Sequence, residues 1–99
     1  MSKVVEAFSY VQISASSNVF PNSTGPQGPC YLGGIFVSSA SSSPTITVYD
    51  SATNGTTTKV VDTFTPVAGQ FYPMPFQLSA GAYVVIGGTV SCTVAVRNK

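Results

Sequence analysis

The most regular pattern in the chain lies at residues 81–96, where two runs of β-branched and small residues flank Gly87-Gly88. Paired glycines supply the positive φ values of a tight turn at little steric cost, so this stretch predicts a β-hairpin. In that hairpin Ile86 faces Thr89, Val85 faces Val90 and Tyr83 faces Cys92. Strand side chains alternate in direction, so one face gathers Tyr83, Val85, Val90, Cys92, Val94 and Val96 as a core wall. The other gathers Ala82, Val84, Ile86, Thr89, Ser91 and Thr93.

Alternation recurs upstream. Residues 4–14 predict a long strand with Val5, Ala7, Val11 and Ile13 on one side and Val4, Glu6, Phe8, Tyr10 and Gln12 on the other. The rings of Phe8 and Tyr10 then serve either a second layer or a neighbouring subunit. Residues 16–29 contain three prolines and two glycines, which predicts a loop of extended character. Residues 30–37 predict a strand interrupted at Gly33-Gly34, where paired glycines imply a bulge or the close approach of a backbone or a ring. Residues 38–43 read as a Ser/Ala linker. Residues 44–50 alternate cleanly, with Ile46 and Val48 inward and Thr45, Thr47 and Tyr49 outward. Residues 59–65 are the returning strand of that hairpin, across a polar loop with Asn54-Gly55 at its tip. Pro73 and Pro75 cannot donate to a ladder, which places residues 70–78 at a sheet edge.

No segment has a convincing helical period. Short strands separated by turn residues favour an all-β fold, an antiparallel β-sandwich or jelly-roll-like barrel of about seven to eight strands. A chain of 99 residues has room for one domain. Its expected parts are an N-terminal strand over 1–15, a Pro/Gly-rich loop over 16–29 and the main sandwich over 30–99.

Composition adds what the pattern does not. Only 7% of the residues are charged, against roughly a quarter in an average soluble domain. A neutral surface rich in hydroxyl groups lacks the self-repulsion that keeps proteins monomeric, so the chain reads as one built for an assembly. Lys3, Lys59, Arg97 and Lys99 are dispersed and the net charge is +1, which argues against nucleic acid as a partner. No apolar run approaches the length of a membrane helix, and the N-terminal residues lack the apolar core of a signal peptide; an unexported chain with no membrane partner is expected. Cys30 and Cys92 are in no metal-like spacing. They form a bridge or, as the place of Cys92 in an alternating strand suggests, serve as small core hydrophobes.

Catalytic chemistry is sparse. Histidine is absent, which removes the commonest general base and metal ligand. Glu6, Asp50 and Asp62 fall in separate strands, and Asp50 and Asp62 flank one hairpin loop as solvated residues. The serines have no base and no nucleophile elbow, and neither glycine pair opens a helix as a phosphate loop requires. The expectation is a non-enzyme with no cofactor and no metal. What remains is contact: Phe8, Tyr10, Phe20, Pro21, Phe71, Tyr72, Pro73 and Met74 are the candidate interface residues, rigid groups that lose little entropy on docking. A carbohydrate-binding adhesion module is the alternative, with Tyr31, Tyr49 and Tyr72 as stacking platforms, although the acidic and amide groups that fix a sugar are few.

The runs at 31–40 (Tyr-Leu-Gly-Gly-Ile-Phe-Val-Ser-Ser-Ala), 43–50 (Ser-Pro-Thr-Ile-Thr-Val-Tyr-Asp), 64–76 and 81–94 together resemble short virion structural proteins of tailed bacteriophages, of capsid cement or decoration type. The resemblance covers about two thirds of the chain. It implies a self-associating β-sandwich or jelly-roll-like unit, a homo-oligomer with a trimer favoured over a dimer. It also implies a place on the capsid surface, synthesis in the bacterial host cytoplasm and the major capsid protein as partner. A head fibre base or tail-associated module is a related possibility. The chain lacks a distinctive capsid-anchoring tail, which leaves the N-terminal strand or the loop at 21–29 as the expected docking element.

Overall fold

In a computed structural model that describes residues 8–20 and 26–98, the chain is all β, with six strands and no helix among those residues. The strands are β1 (Ser9–Ile13), β2 (Ser17–Asn18), β3 (Cys30–Asp50), β4 (Lys59–Phe64), β5 (Phe71–Leu78) and β6 (Ala82–Asn98). All pairings are antiparallel and join the strands into one sheet. Two strands dominate it. β3 and β6 pair along nearly their whole lengths, from Cys30 opposite Asn98 to Asp50 opposite Ala82. β1 and β2 follow one another along the free side of β6, and β5 and β4 do the same along β3.

This long ribbon cannot run straight. At about 3.3 Å per residue, 21 residues would extend roughly 70 Å, yet the longest dimension of the molecule is 49 Å. The register shows where it bends. Between the pairs Ser41–Thr89 and Thr45–Gly87, three residues of β3 oppose Gly88 alone, and Ser42, Ser43 and Gly88 have φ of 57°, 58° and 68°. Such a bulge kinks a strand and increases its twist. The connection between β5 and β6 tightens the curl. Leu78 pairs with Cys30 at one end of β3, Ala82 pairs with Asp50 at the other, and only residues 79–81 lie between them. Four Cα steps reach about 14 Å at most, so the two ends of β3 are drawn together. The Asp50 carboxylate secures this closure by accepting hydrogen bonds from the N–H groups of Ser79 (3.1 Å), Ala80 (2.7 Å) and Gly81 (3.2 Å).

One continuous core fills the concave side. Leu32, Ile35, Val37, Ile46 and Val48 come from β3, and Val84, Val90, Cys92, Val94 and Val96 from β6, with Val19 and Leu78 packed beside them. On β6 the buried positions are even-numbered on both sides of Gly88, which corrects the predicted hairpin. Gly87-Gly88 lies inside a single strand. A turn there would reverse the chain and align Val85 with Val90, whereas an uninterrupted strand preserves parity, so Ala82 and Val84 face inward and Tyr83 and Val85 are only partly buried. Gly88 is needed for another purpose: the space a Cβ would occupy is taken by the carbonyl oxygens of Ser42 and Ser43, the latter 2.7 Å away.

Other expectations are revised in the same way. Residues 38–43 are strand and not linker, because β6 supplies ladder partners for a serine-rich segment. Ser17 and Asn18 pair with Val84 and Tyr83 inside what the prolines predicted as loop. Thr47, predicted outward, is buried and shares a 2.6 Å hydrogen bond with the Thr63 hydroxyl. The strand count of six falls below seven or eight because segments expected as separate strands are continuous within β3 and β6.

Several local features match their signals. Ile46 and Val48 are fully buried, β4 pairs with their strand, and Asn54 has the left-handed conformation of a loop tip. β5, with its two prolines, pairs only with β3 among the described residues. The register of β3 shifts between Leu32 and Gly34.

Cys30 and Cys92 are free, buried thiols. Cys30 lies opposite Asn98, six residues along β6 from Cys92, a separation of roughly 20 Å where a disulfide needs Cα atoms within about 7 Å. The two residues therefore act as core side chains. Burial raises both thiols from 9.0 to about 11, with the negative charge of Asp50 adding to the effect at Cys30. A thiol that ionises at higher pH in the folded state than in the unfolded chain favours folding while it stays protonated. Its contribution is whole below pH 9.0 and is lost as the pH rises toward 11. Melting temperature is accordingly expected to drop over that window, and to drop less steeply in Cys92→Val; parallel pH profiles for the two proteins would count against a titrating core thiol.

Candidate contact surface

The convex face of the sheet, where β1, the second half of β6, the first half of β3 and β5 lie side by side, is aromatic. On β1, Val11 and Ile13 point into the core, so Phe8 and Tyr10 point out, and Tyr10 is 75% exposed. Tyr10 is opposite Ala95 of β6. The Phe8 ring extends across to β3, its atoms 2.9 Å from where a Gly33 side chain would begin, with the Ala95 methyl 3.2 Å from the same point. From the opposite edge the Phe71 ring comes within 2.6 Å of the Cβ position of Gly34, whose φ is 153°. The glycine pair thus forms a shared floor for rings from both flanking strands.

The register shift at these glycines sets the rest of the face. Beyond it Ile35 and Val37 are buried and Phe36 is turned outward, directly opposite Phe71. Tyr31 faces Arg97 on β6, and the Arg97 guanidinium stands 4.8 Å from the Tyr31 ring centroid and 5.3 Å from that of Phe8. Contacts of this kind are worth about 0.5–1 kcal/mol at an exposed site. They also fix the orientation of both rings. Phe8, Tyr10, Tyr31, Phe36 and Phe71 therefore form a ridge in which the charged side chain, Arg97, is stacked on aromatic rings.

A second apolar feature lies at the far edge. An open groove of about 550 Å³ runs between β4 and β5, lined by Val60, Val61, Phe64, Tyr72, Met74 and Phe76. The Phe64 and Tyr72 rings are tilted against each other at 4.9 Å, and the Tyr72 hydroxyl accepts a hydrogen bond from the Val67 N–H at 2.9 Å. Lys59 and Asp62 form an exposed ion pair at 3.3 Å beside the groove.

Of the residues singled out in the sequence, Phe8, Tyr10 and Phe71 come together on the convex face, while Tyr72 and Pro73 line the groove. Met74 is buried at 4% exposure and belongs to the core, since β5 turns it inward together with Leu78. Phe20 packs against the core and its N–H donates to the Gln27 side chain at 2.8 Å. Pro21 lies outside the described residues. Phe36 and Arg97 were missed; the one-residue shift that a Gly33-Gly34 bulge imposes is the signal that would have turned Phe36 outward.

Among the described residues no group of three or more histidine, cysteine or acidic side chains is placed to hold a metal ion. No helix there is long and apolar enough to cross a membrane. No protein-family model, curated protein or solved structure matches the chain.

Proposed function

We propose that this chain is a non-enzymatic structural protein that works by contact, a virion component of capsid cement type that associates with copies of itself and with the major capsid protein. The observation that carries the proposal is the convex aromatic face: five ring side chains, ordered on strands by a glycine floor and an arginine stack, and little charge to desolvate on docking. A surface of serine, threonine and aromatic groups releases water at low cost when many copies dock, and modest contacts add through multiplicity. The resemblance of residues 31–94 to small phage virion proteins supplies the setting.

The fold belongs to the same proposal. The bulge opposite Gly88 divides each long strand into two segments, and the three-residue link at 79–81 brings their far ends together. We read the curled sheet as two layers of four strand segments each, β1 and β5 flanking one and β2 and β4 the other, which is a jelly-roll-like sandwich. Such a unit presents one broad rigid face to a shell.

Virions assembled without the protein are expected to lose their genome at a lower temperature than virions carrying it, and to lose it earlier as ionic strength is lowered and the screening of the packed genome's self-repulsion weakens. Equal heat resistance would refute cementing. Recovery of the protein on tails and not heads would shift it to a tail-associated module.

A further inference from the structure

The two edges of the sheet differ. At the β4–β5 edge the pairing with β3 is broken by register shifts, Pro73 and Pro75 interrupt the donors, and Lys59 and Asp62 place charges along the strand. These are the devices by which proteins keep an edge from adding another strand. At the opposite edge β1, which among the described residues pairs with β6 alone, has none of them. Its five residues, Ser-Tyr-Val-Gln-Ile, pair with β6 from Ser9–Val96 to Ile13–Cys92 without a shift, and they include no proline and no charge. Val11 and Ile13 are also the core side chains left slightly open, at 8% and 6% exposure, where the buried residues of β6 are at 0–1%.

We propose that β1 is a dimerisation edge through which two copies of this chain pair antiparallel about a two-fold axis, joining their sheets into one. The inference rests on the self-association proposed above and narrows its stoichiometry to two. The occupant follows from the strand itself. With no charge on β1 there is nothing to select a partner of opposite sign, whereas a second β1 matches it on both faces. Antiparallel pairing about a two-fold centred on Val11 uses all five residues, setting Val11 against Val11 of the partner subunit and outward Tyr10 against Gln12 of the partner subunit. Outward groups then meet outward groups, inward groups meet inward ones, and the two Gln12 side chains become diagonal neighbours. The added strand closes the gap over Val11 and Ile13 and brings the two Phe8–Tyr10 ridges side by side. Five residues of ladder with two rings bury less than the roughly 1,200 Å² of a standard stable interface, so the isolated pair is weak and exchanges with monomer.

Sedimentation over a concentration series of the purified chain is expected to show a monomer–dimer equilibrium. Gln12→Lys sets two ammonium groups near each other across the seam and is expected to weaken it at least about tenfold, with an unchanged melting temperature because Gln12 is exposed. Gln12→Cys carrying a nitroxide label, selective because both native thiols are buried, is expected to give label pairs within about 20 Å across paired strands, and Asp62→Cys labels much longer distances. Should Gln12→Lys fail to fold, the label distances decide. A dimer untouched by Gln12→Lys, labels close only at position 62, or a trimer would overturn the β1 edge while leaving self-association standing. A monomer at every concentration would overturn both.

Discussion

Gly88→Val is expected to leave little folded protein at room temperature. Position 88 has φ of 68°, a conformation that costs an L-residue about 1–2 kcal/mol and a β-branched one more. The added side chain would also start against the carbonyl oxygens of Ser42 and Ser43, and backbone cannot move aside as a flexible side chain can. Together these should cost about 4 kcal/mol or more, most of what a domain of this size has to lose. Gly69→Val is the matched control, since φ there is 84° but nothing lies within 4 Å of the new Cβ; roughly 2 kcal/mol is expected. Denaturant midpoints measure both. Similar losses at the two positions would show that backbone conformation alone, and not the approach of the β3 bulge, makes glycine necessary at 88.

The second large effect is expected at Asn18. This buried side chain on a two-residue strand donates through its amide to the carbonyls of Ser51 and Ala82, the latter at 3.2 Å, and accepts from the Asn54 N–H at 3.0 Å. It ties β2 to both the start of β6 and the loop that leaves β3. Asn18→Ala removes all three bonds and takes this donor from the carbonyl of buried Ser51, while the Ala82 carbonyl keeps the Val19 N–H at 2.9 Å. A buried polar group left unsatisfied costs about 1–3 kcal/mol, and the truncated side chain leaves a cavity besides. With relaxation a net loss of about 3 kcal/mol is expected, a fall of roughly 12–24 °C in melting temperature for a domain this small. Asn18→Asp keeps the acceptor but turns a carboxylate toward two carbonyl oxygens, so it should do no better. A change below about 0.5 kcal/mol in Asn18→Ala would mean that the 51–54 loop is held without it.

What the sequence made legible was local. The 44–50 and 59–65 hairpin, its Asn54 tip and the ring approach at Gly33-Gly34 each depend on residues within a few positions of one another, or on the special freedom of glycine. Gly87-Gly88 was misread because two glycines among β-branched residues serve a turn and a bulge equally well. The deciding partner, Ser42-Ser43, lies some 45 residues earlier. Residues 38–43 and 17–18 look unstructured for a related reason: serine and asparagine have little strand preference of their own, and it is the ladder offered by β6 that makes them strands. The contact face divides along the same line. Phe8 and Tyr10 follow from alternation on an uninterrupted strand, whereas Phe36 depends on a register shift and the inward turn of Met74 on pairing with β3.

The central place of β6 has a consequence for how the chain comes to its native state on the ribosome. β1, β2 and β3 are all made before the strand they pair with, and the Cys30–Asn98 pair spans almost seventy residues. A nascent chain must therefore hold its earlier segments open until the last strand emerges, then close many distant pairs at once, a topology that folds slowly and leaves strand edges bare in the interval. Chaperones that shield such edges, and a slow refolding phase after dilution from denaturant, are the natural companions of this topology.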